Sequence, residues 1–420
     1  MFFRIEDKVE MEVISQKIDF DVLLIGAGIN AYYMARNFHE EYGIISNVIT
    51  KVAMNFTSYS TICNVEIEAN LYDENVFKQR LADFGVDRGK KIILVGTEEV
   101  YIRLIVDNAE FLSEWYLFNY VDKLMLDDLF LKEKFYKNYM NYNINIPQTY
   151  FYKCGTENLD LNEIRKLGFP LIVKPSNSIK WDNYGYFDKI QDYKSENLEE
   201  LQNIVDTVEN LGYDDTLIIQ EYIAGDDYHL FDSAFYCSSD GKPLLQSFAQ
   251  IGLKNYLLES MRECSVVVNG YNQFNNTDDI KDELKKFLAY INYRGIAEFH
   301  LKYDIDRKKF YVLEINPYQA RSSYYLTSCG YSIAKYLVDD LIYNKKSDFK
   351  FIDDEIVFSF VPINVVKRMI DNKEYVNKIL TLFEEGKFIK ILNYSGDKCL
   401  KRKLWLLVRK FSYTSKNIKL

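Results

Sequence analysis

The sequence predicts an α/β domain followed by an α+β body, because two early apolar runs end in glycine turns and several later strands end in polar groups. Phe20-Asp21-Val22-Leu23-Leu24-Ile25-Gly26-Ala27-Gly28 reads as a strand entering a turn, and residues from about Ile29 to Tyr42 as the helix that follows. Lys91-Ile92-Ile93-Leu94-Val95 repeats the pattern and turns at Gly96-Thr97-Glu98-Glu99. Both turns are placed at the carboxyl ends of a parallel sheet, where open α/β sheets bind ligands. Gly26-x-Gly28-x-x-Ala31 nearly spells a dinucleotide fingerprint. The next strand nevertheless ends in Thr50 and Lys51, where an acidic residue would hold a ribose, so a nicotinamide cofactor is disfavoured.

The body begins with residues from about Asp122 to Asn143, which read as one helix of interleaved charged and aromatic residues, broken at Ile144-Asn145-Ile146-Pro147. Gly168-Phe169-Pro170-Leu171-Ile172-Val173-Lys174-Pro175 reads as a short buried strand delivering Lys174, a point charge for phosphate oxygens. Residues 176–186 form a loop in which Ser176 and Ser178 can donate to phosphate, while Trp181 and Tyr184 suggest a bulky lid. Thr216 to Glu221 reads as a second strand, running through Tyr222 and Ile223 to a reversal at Gly225. Such a strand edge offers backbone groups to a purine, and Asp227 can accept from ribose hydroxyls.

Lys308 to Pro317 is a strand ended by its proline. Alternate positions share a face, so Glu314 and Asn316 set a carboxylate beside an amide oxygen, a pair suited to Mg²⁺. Gly295 to Asp304 places Glu298 and His300 on one face in the same way. Imidazole is a poor partner for Mg²⁺ and a better one for Zn²⁺ or Mn²⁺. Each fragment has a plain alternative, a solvated lysine or an Asn opening a turn. The ordered set outweighs them.

With 420 residues, 48% hydrophobic and 27% charged, the chain can bury sizeable cores and divide into about three domains. No apolar run approaches the roughly 20 residues of a membrane-spanning helix. Met1 to Asp7 turns acidic too early for a secretory signal, and six cysteines without a Cys-x-x-Cys pair suit a reducing cytoplasm. A net charge of −10 argues against general nucleic-acid binding. Cys399 to Leu420 departs from that balance, with seven basic residues and no acidic one around Leu404 to Val408. Such a tail either touches an anionic membrane peripherally or packs its apolar side on the body.

Together these segments resemble the ATP-grasp superfamily, and within it the D-aspartate ligases that build side-chain bridges of some Gram-positive peptidoglycans. The wider likeness rests on Lys132, Lys174-Pro175, Gln220 to Gly225, Asp227 and Glu314-Ile315-Asn316. The narrower one rests on Asn30 to Gly43, Lys174 to Ser178, Gly225-Asp226-Asp227, Lys302-Tyr303-Asp304 and Gln319 to Ser323, and more faintly on the tail around Trp405. The resemblance implies an ATP-grasp fold behind a Rossmann-like domain, with expected segments 1–115, 116–225, 226–345 and 346–420. It implies that Lys132, Lys174, Ser176, Ser178, Gln220, Glu221, Tyr222, Ile223 and Asp227 hold ATP. Glu314, Asn316, His300 and Glu298 would hold Mg²⁺, with Mn²⁺ as an alternative, and Lys174 and Arg321 would be catalytic.

The implied reaction activates the β-carboxylate of D-aspartate as an acyl phosphate and joins it to the lysine side-chain amine of a peptidoglycan precursor. Two departures stand out. His300 occupies the place of an acidic metal ligand, and Tyr318 stands where many relatives carry an arginine, leaving Arg321 as the nearby cation. A ligase for a small soluble amine or amino acid stays open as a reading. So does a non-catalytic nucleotide-binding protein in which His300 marks lost metal chemistry.

Overall fold

Five parallel strands, β1 (Phe20–Ile25), β2 (Ser46–Thr50), β3 (Cys63–Ile67), β4 (Lys91–Gly96) and β5 (Tyr116–Leu117), form a sheet of order β3-β2-β1-β4-β5. They come from a computed structural model that describes residues 19–416, apart from 87, 157, 178, 179, 182–191, 255–263, 272 and 275. The expected roles of Ser178 and Tyr184 therefore lie outside the described residues. The chain divides into two compact units. The first takes residues up to Tyr120, Tyr318–Asp348 and the chain from Lys390 on; the second takes Val121–Pro317 and Phe349–Ile389.

In the first unit, Val22, Leu23, Leu24 and Ile25 are all fully buried, as a parallel strand covered on both faces requires. The helix Ile29–Tyr42 follows and stops at Gly43, whose left-handed φ of 67° ends it. Gly26 has φ +112°, and a Cβ there would collide with Thr97 Oγ1. That close approach is useful, because the Thr97 N–H and hydroxyl both donate to the Ile25 carbonyl at 3.0 Å and join the ends of β1 and β4.

The second unit holds two sheets. Strands β6 (Thr149–Lys153), β7 (Leu171–Pro175), β8 (Tyr193–Ser195) and β9 (Thr216–Glu221) form an antiparallel layer of order β6-β9-β7-β8. Trp181, expected as lid bulk, packs into the core of this layer, edge-on to Tyr213 at 5.3 Å. An indole buries far more apolar area there than it would over a polar phosphate site.

The larger sheet contains β10 (Leu230–Cys237), β11 (Pro243–Ser247), β12 (Ala249–Lys254), β13 (Cys264–Asn269), β14 (Gly295–Asp304), β15 (Lys309–Asn316), β16 (Lys350–Ile352), β17 (Ile356–Ser359) and β18 (Phe388–Ile389). Its main path is β15-β14-β10-β12-β13-β17-β18, with β11 bridging β10 and β16.

The single helix expected from Asp122 is two, Lys123–Phe130 and Lys132–Tyr139. Asp122 caps the first through Met125 N. At Leu131 the backbone is extended, and the N–H groups of Lys132 and Glu133 turn to the carbonyl (3.2 Å) and hydroxyl (3.0 Å) of Ser176. The second helix thus borrows its N-terminal cap from the residue that follows β7. Among the described residues no helix is long and apolar enough to cross a membrane.

Candidate active site

β10, β14 and β15 lie side by side, and their register decides which groups meet. Asp232 faces His300, His300 faces Glu314, and Glu298 faces Asn316. His300 Nδ1 is 3.0 Å from Glu314 Oε1, and its Nε2 is 3.7 Å from Asp232 Oδ1. Burial opposes the imidazolium, but Asp232, Glu314 and Glu298 outweigh it and raise the pKa of His300 to about 9. Burial likewise pushes the Glu314 carboxyl up, but His300, Lys132 and Lys174 overcome it and hold that carboxyl well below the usual range.

Near neutrality His300 is therefore a cation between two carboxylates. Its raised pKa stabilises the fold fully below about 6.5, the ordinary imidazole value, and that contribution is lost as pH rises through about 9. The thermal midpoint of the ligand-free protein should fall over this window, and His300→Gln should flatten the fall. An unchanged slope in the variant would remove His300 as its source.

Past His300 the ladder slips by one residue, leaving Leu313 as a bulge in β15. The Leu313 carbonyl accepts from Tyr136 Oη at 2.5 Å, and Tyr136 Oη in turn accepts from Lys174 Nζ at 2.9 Å. Burial disfavours charge on Lys174, yet Tyr136, Asp192 and Glu314 raise its pKa above the ordinary lysine value. It stays an ammonium although only 8% exposed. Lys132 opens the helix Lys132–Tyr139, and it joins Lys174 in lowering the pKa of Glu314. Lys132, Lys174, Glu314 and Asn316, read from distant parts of the sequence, thus gather in one unit with Glu298 and His300.

Two members of this cluster were missed. Tyr136 lies one turn after Lys132 on the same helix face, a signal hidden among 35 tyrosines. Asp232 was visible as the one charge in the buried strand Leu230–Cys237.

The hinge is held by its own side chains. Gln220 Nε2 donates to Thr149 Oγ1 at 2.7 Å, and Glu221 accepts from Gln148 N at 2.8 Å. Arg307 donates to Glu221 Oε2 at 2.6 Å, to Asp304 Oδ2 at 2.8 Å and to the Tyr222 carbonyl at 3.4 Å. Tyr222 N donates to the Pro170 carbonyl, and its hydroxyl to that of Gly225. The Ile223 peptide makes none of these bonds. Asp227 sits just beyond, in the short 3-10 turn Asp227–His229. The Ser176 hydroxyl oxygen accepts from Glu133 N and keeps its proton to donate to another partner.

Among the described residues, no group of three or more His, Cys, Asp or Glu side chains is arranged to hold a metal ion. Glu314 and Asn316 supply hard oxygen donors that fit Mg²⁺, which completes its shell with phosphate and water. The His300 ring nitrogens face Glu314 and Asp232, and its imidazole is a poorer partner for Mg²⁺ than those oxygens. Glu298, paired with Asn316, is fully buried.

Arg321 belongs to the first unit. It opens the 3-10 turn Arg321–Tyr324, is 2% exposed, and shares that turn with Ser323, whose carbonyl accepts from Tyr33 Oη at 3.3 Å. The C-terminal helix Leu400–Lys416 is anchored in this unit too. Asp397 accepts from Ser60 Oγ at 2.7 Å and from Thr61 N at 3.0 Å, and Arg402 Nε lies 3.2 Å from it. The Arg402 guanidinium sits 3.7 Å over the Tyr32 ring and donates to the Phe56 carbonyl at 2.7 Å.

No family model matches the sequence. A D-aspartate ligase of Enterococcus faecium (strain Aus0004) is 27% identical over 413 residues, covering 93% of this chain and 94% of that protein. Among solved structures, an ADP complex of N5-carboxyaminoimidazole ribonucleotide synthetase superposes with TM-score 0.60 at 12% identity, over 84% of this chain and 85% of that one. An L-amino acid ligase from Bacillus licheniformis superposes with TM-score 0.54 at 15% identity, over 78% and 75%. The chain thus has an ATP-grasp fold and is similar along nearly its whole length to a D-aspartate ligase.

Proposed function

We propose that the protein joins the β-carboxylate of D-aspartate to the lysine side-chain amine of a peptidoglycan precursor, using ATP. The observation that carries this reading is the convergence of Lys132 and Lys174 on Glu314 beside Asn316. The full-length likeness to a D-aspartate ligase supports the choice of acid.

A carboxylate oxygen of the acid attacks the γ-phosphorus of ATP, the bond to the bridging oxygen breaks, and ADP leaves. Lys132 and Lys174 stabilise the charge that spreads over the phosphoryl oxygens, with Lys174 kept in place by Tyr136. Mg²⁺, or Mn²⁺ in its place, held by Glu314 and Asn316, would neutralise phosphate charge in the same region. The amine nitrogen then attacks the acyl carbon, loses a proton and displaces inorganic phosphate. The Ile223 peptide and Asp227 would take the purine and ribose. A cytoplasmic location with the basic tail against the membrane would bring the ligase to lipid-linked acceptors.

Phosphate release from ATP, compared for D- and L-aspartate with and without a lysine-containing precursor, tests this. Release that needs both D-aspartate and the precursor is expected. Preference for L-aspartate or another acid would overturn the substrate, and no release with any acid would overturn the ligase.

A further inference from the structure

We infer that the outer face of the helix Leu400–Lys416 is a docking surface for an anionic lipid bilayer. The inference rests on the proposed function for its purpose, and on the helix alone for its geometry. Trp405 packs edge-on against Phe56 at 5.3 Å and Tyr59 at 6.4 Å, and the Arg409 guanidinium lies 5.2 Å over Phe56. With Arg402 buried beside Asp397, these groups define the inward side. A helix that buried its leucines against the body would do the opposite of what is seen.

Leu400, Leu404, Leu407 and Val408 are 74%, 67%, 51% and 67% exposed. Their spacing of i, i+4, i+7 and i+8 makes one continuous stripe. Exposed Lys401 borders one side of it and exposed Lys403 and Lys410 the other, with the Lys401 ammonium 4.0 Å over the Tyr59 ring. A leucine stripe between rows of lysine is the pattern of a helix lying in a bilayer interface, with apolar residues among acyl chains and ammonium groups at anionic headgroups. A second copy of this face is a poor occupant. The segment from Cys399 to Leu420 holds seven basic residues and no acidic one, so two such faces repel.

The test is co-sedimentation of the full-length protein with phosphatidylglycerol-containing vesicles, against vesicles of phosphatidylcholine alone. Binding should need the anionic lipid, weaken with added salt, and fall about tenfold or more in Leu404→Glu/Leu407→Glu. Those side chains face solvent, so the variant should keep the wild-type thermal midpoint and phosphate release with soluble substrates. No binding by the wild type, equal binding to neutral vesicles, or undiminished binding by the variant each overturns the inference. So does concentration-dependent self-association that the variant abolishes without any vesicle binding. Loss of D-aspartate-dependent phosphate release in the wild type would count against the ligase substrate and leave the docking result untouched.

Discussion

Lys174→Met should lower ATP-dependent phosphate release by about 10²- to 10³-fold, the usual cost of removing one preorganised donor from developing phosphoryl charge. Methionine keeps most of the volume in a site that is nearly sealed, so packing is largely preserved. Tyr136 still donates to the Leu313 carbonyl in the variant and holds the bulge. Glu314 loses one of the two ammonium groups that lower its pKa, and Lys132 and His300 remain. Activity within about threefold of wild type, with an unchanged near-ultraviolet spectrum, would mean that Lys174 does not face the phosphates.

Arg402→Met should lower stability by about 3 kcal/mol, because it leaves a buried carboxylate without its counter-charge. The effect belongs at the low end of the usual range, since Asp397 keeps Ser60, Thr61 and Tyr32 as donors. The loss is local to the first unit. Urea unfolding followed by tryptophan fluorescence reads it, through Trp115 and Trp405 in that unit. A change below about 0.5 kcal/mol would mean that the ion pair contributes little beyond its packing.

What local patterns dictate, the sequence displays. The helix Ile29–Tyr42 begins and ends at the residues its glycines indicate, and Glu314 and Asn316 share a face because a strand alternates. What distant segments dictate stays hidden. The break at Leu131 arises because Ser176, 43 residues beyond Glu133, offers a better partner than the next helical turn. Tyr136 gains its place by meeting Leu313, 177 residues away, and no window on the sequence contains both. His300 reads as a poor magnesium ligand from its chemistry alone; its role as a cation appears only once Asp232 and Glu314 flank it. The tail's composition suggested a surface contact, but which face is outward follows from Arg402 pointing in.

Ser176 both closes the strand that bears Lys174 and starts the helix that bears Lys132. The two positive groups therefore ride on one mechanical part. A displacement of either one is passed to the other through the Ser176 backbone, so their mutual spacing is set by the fold before any ligand arrives.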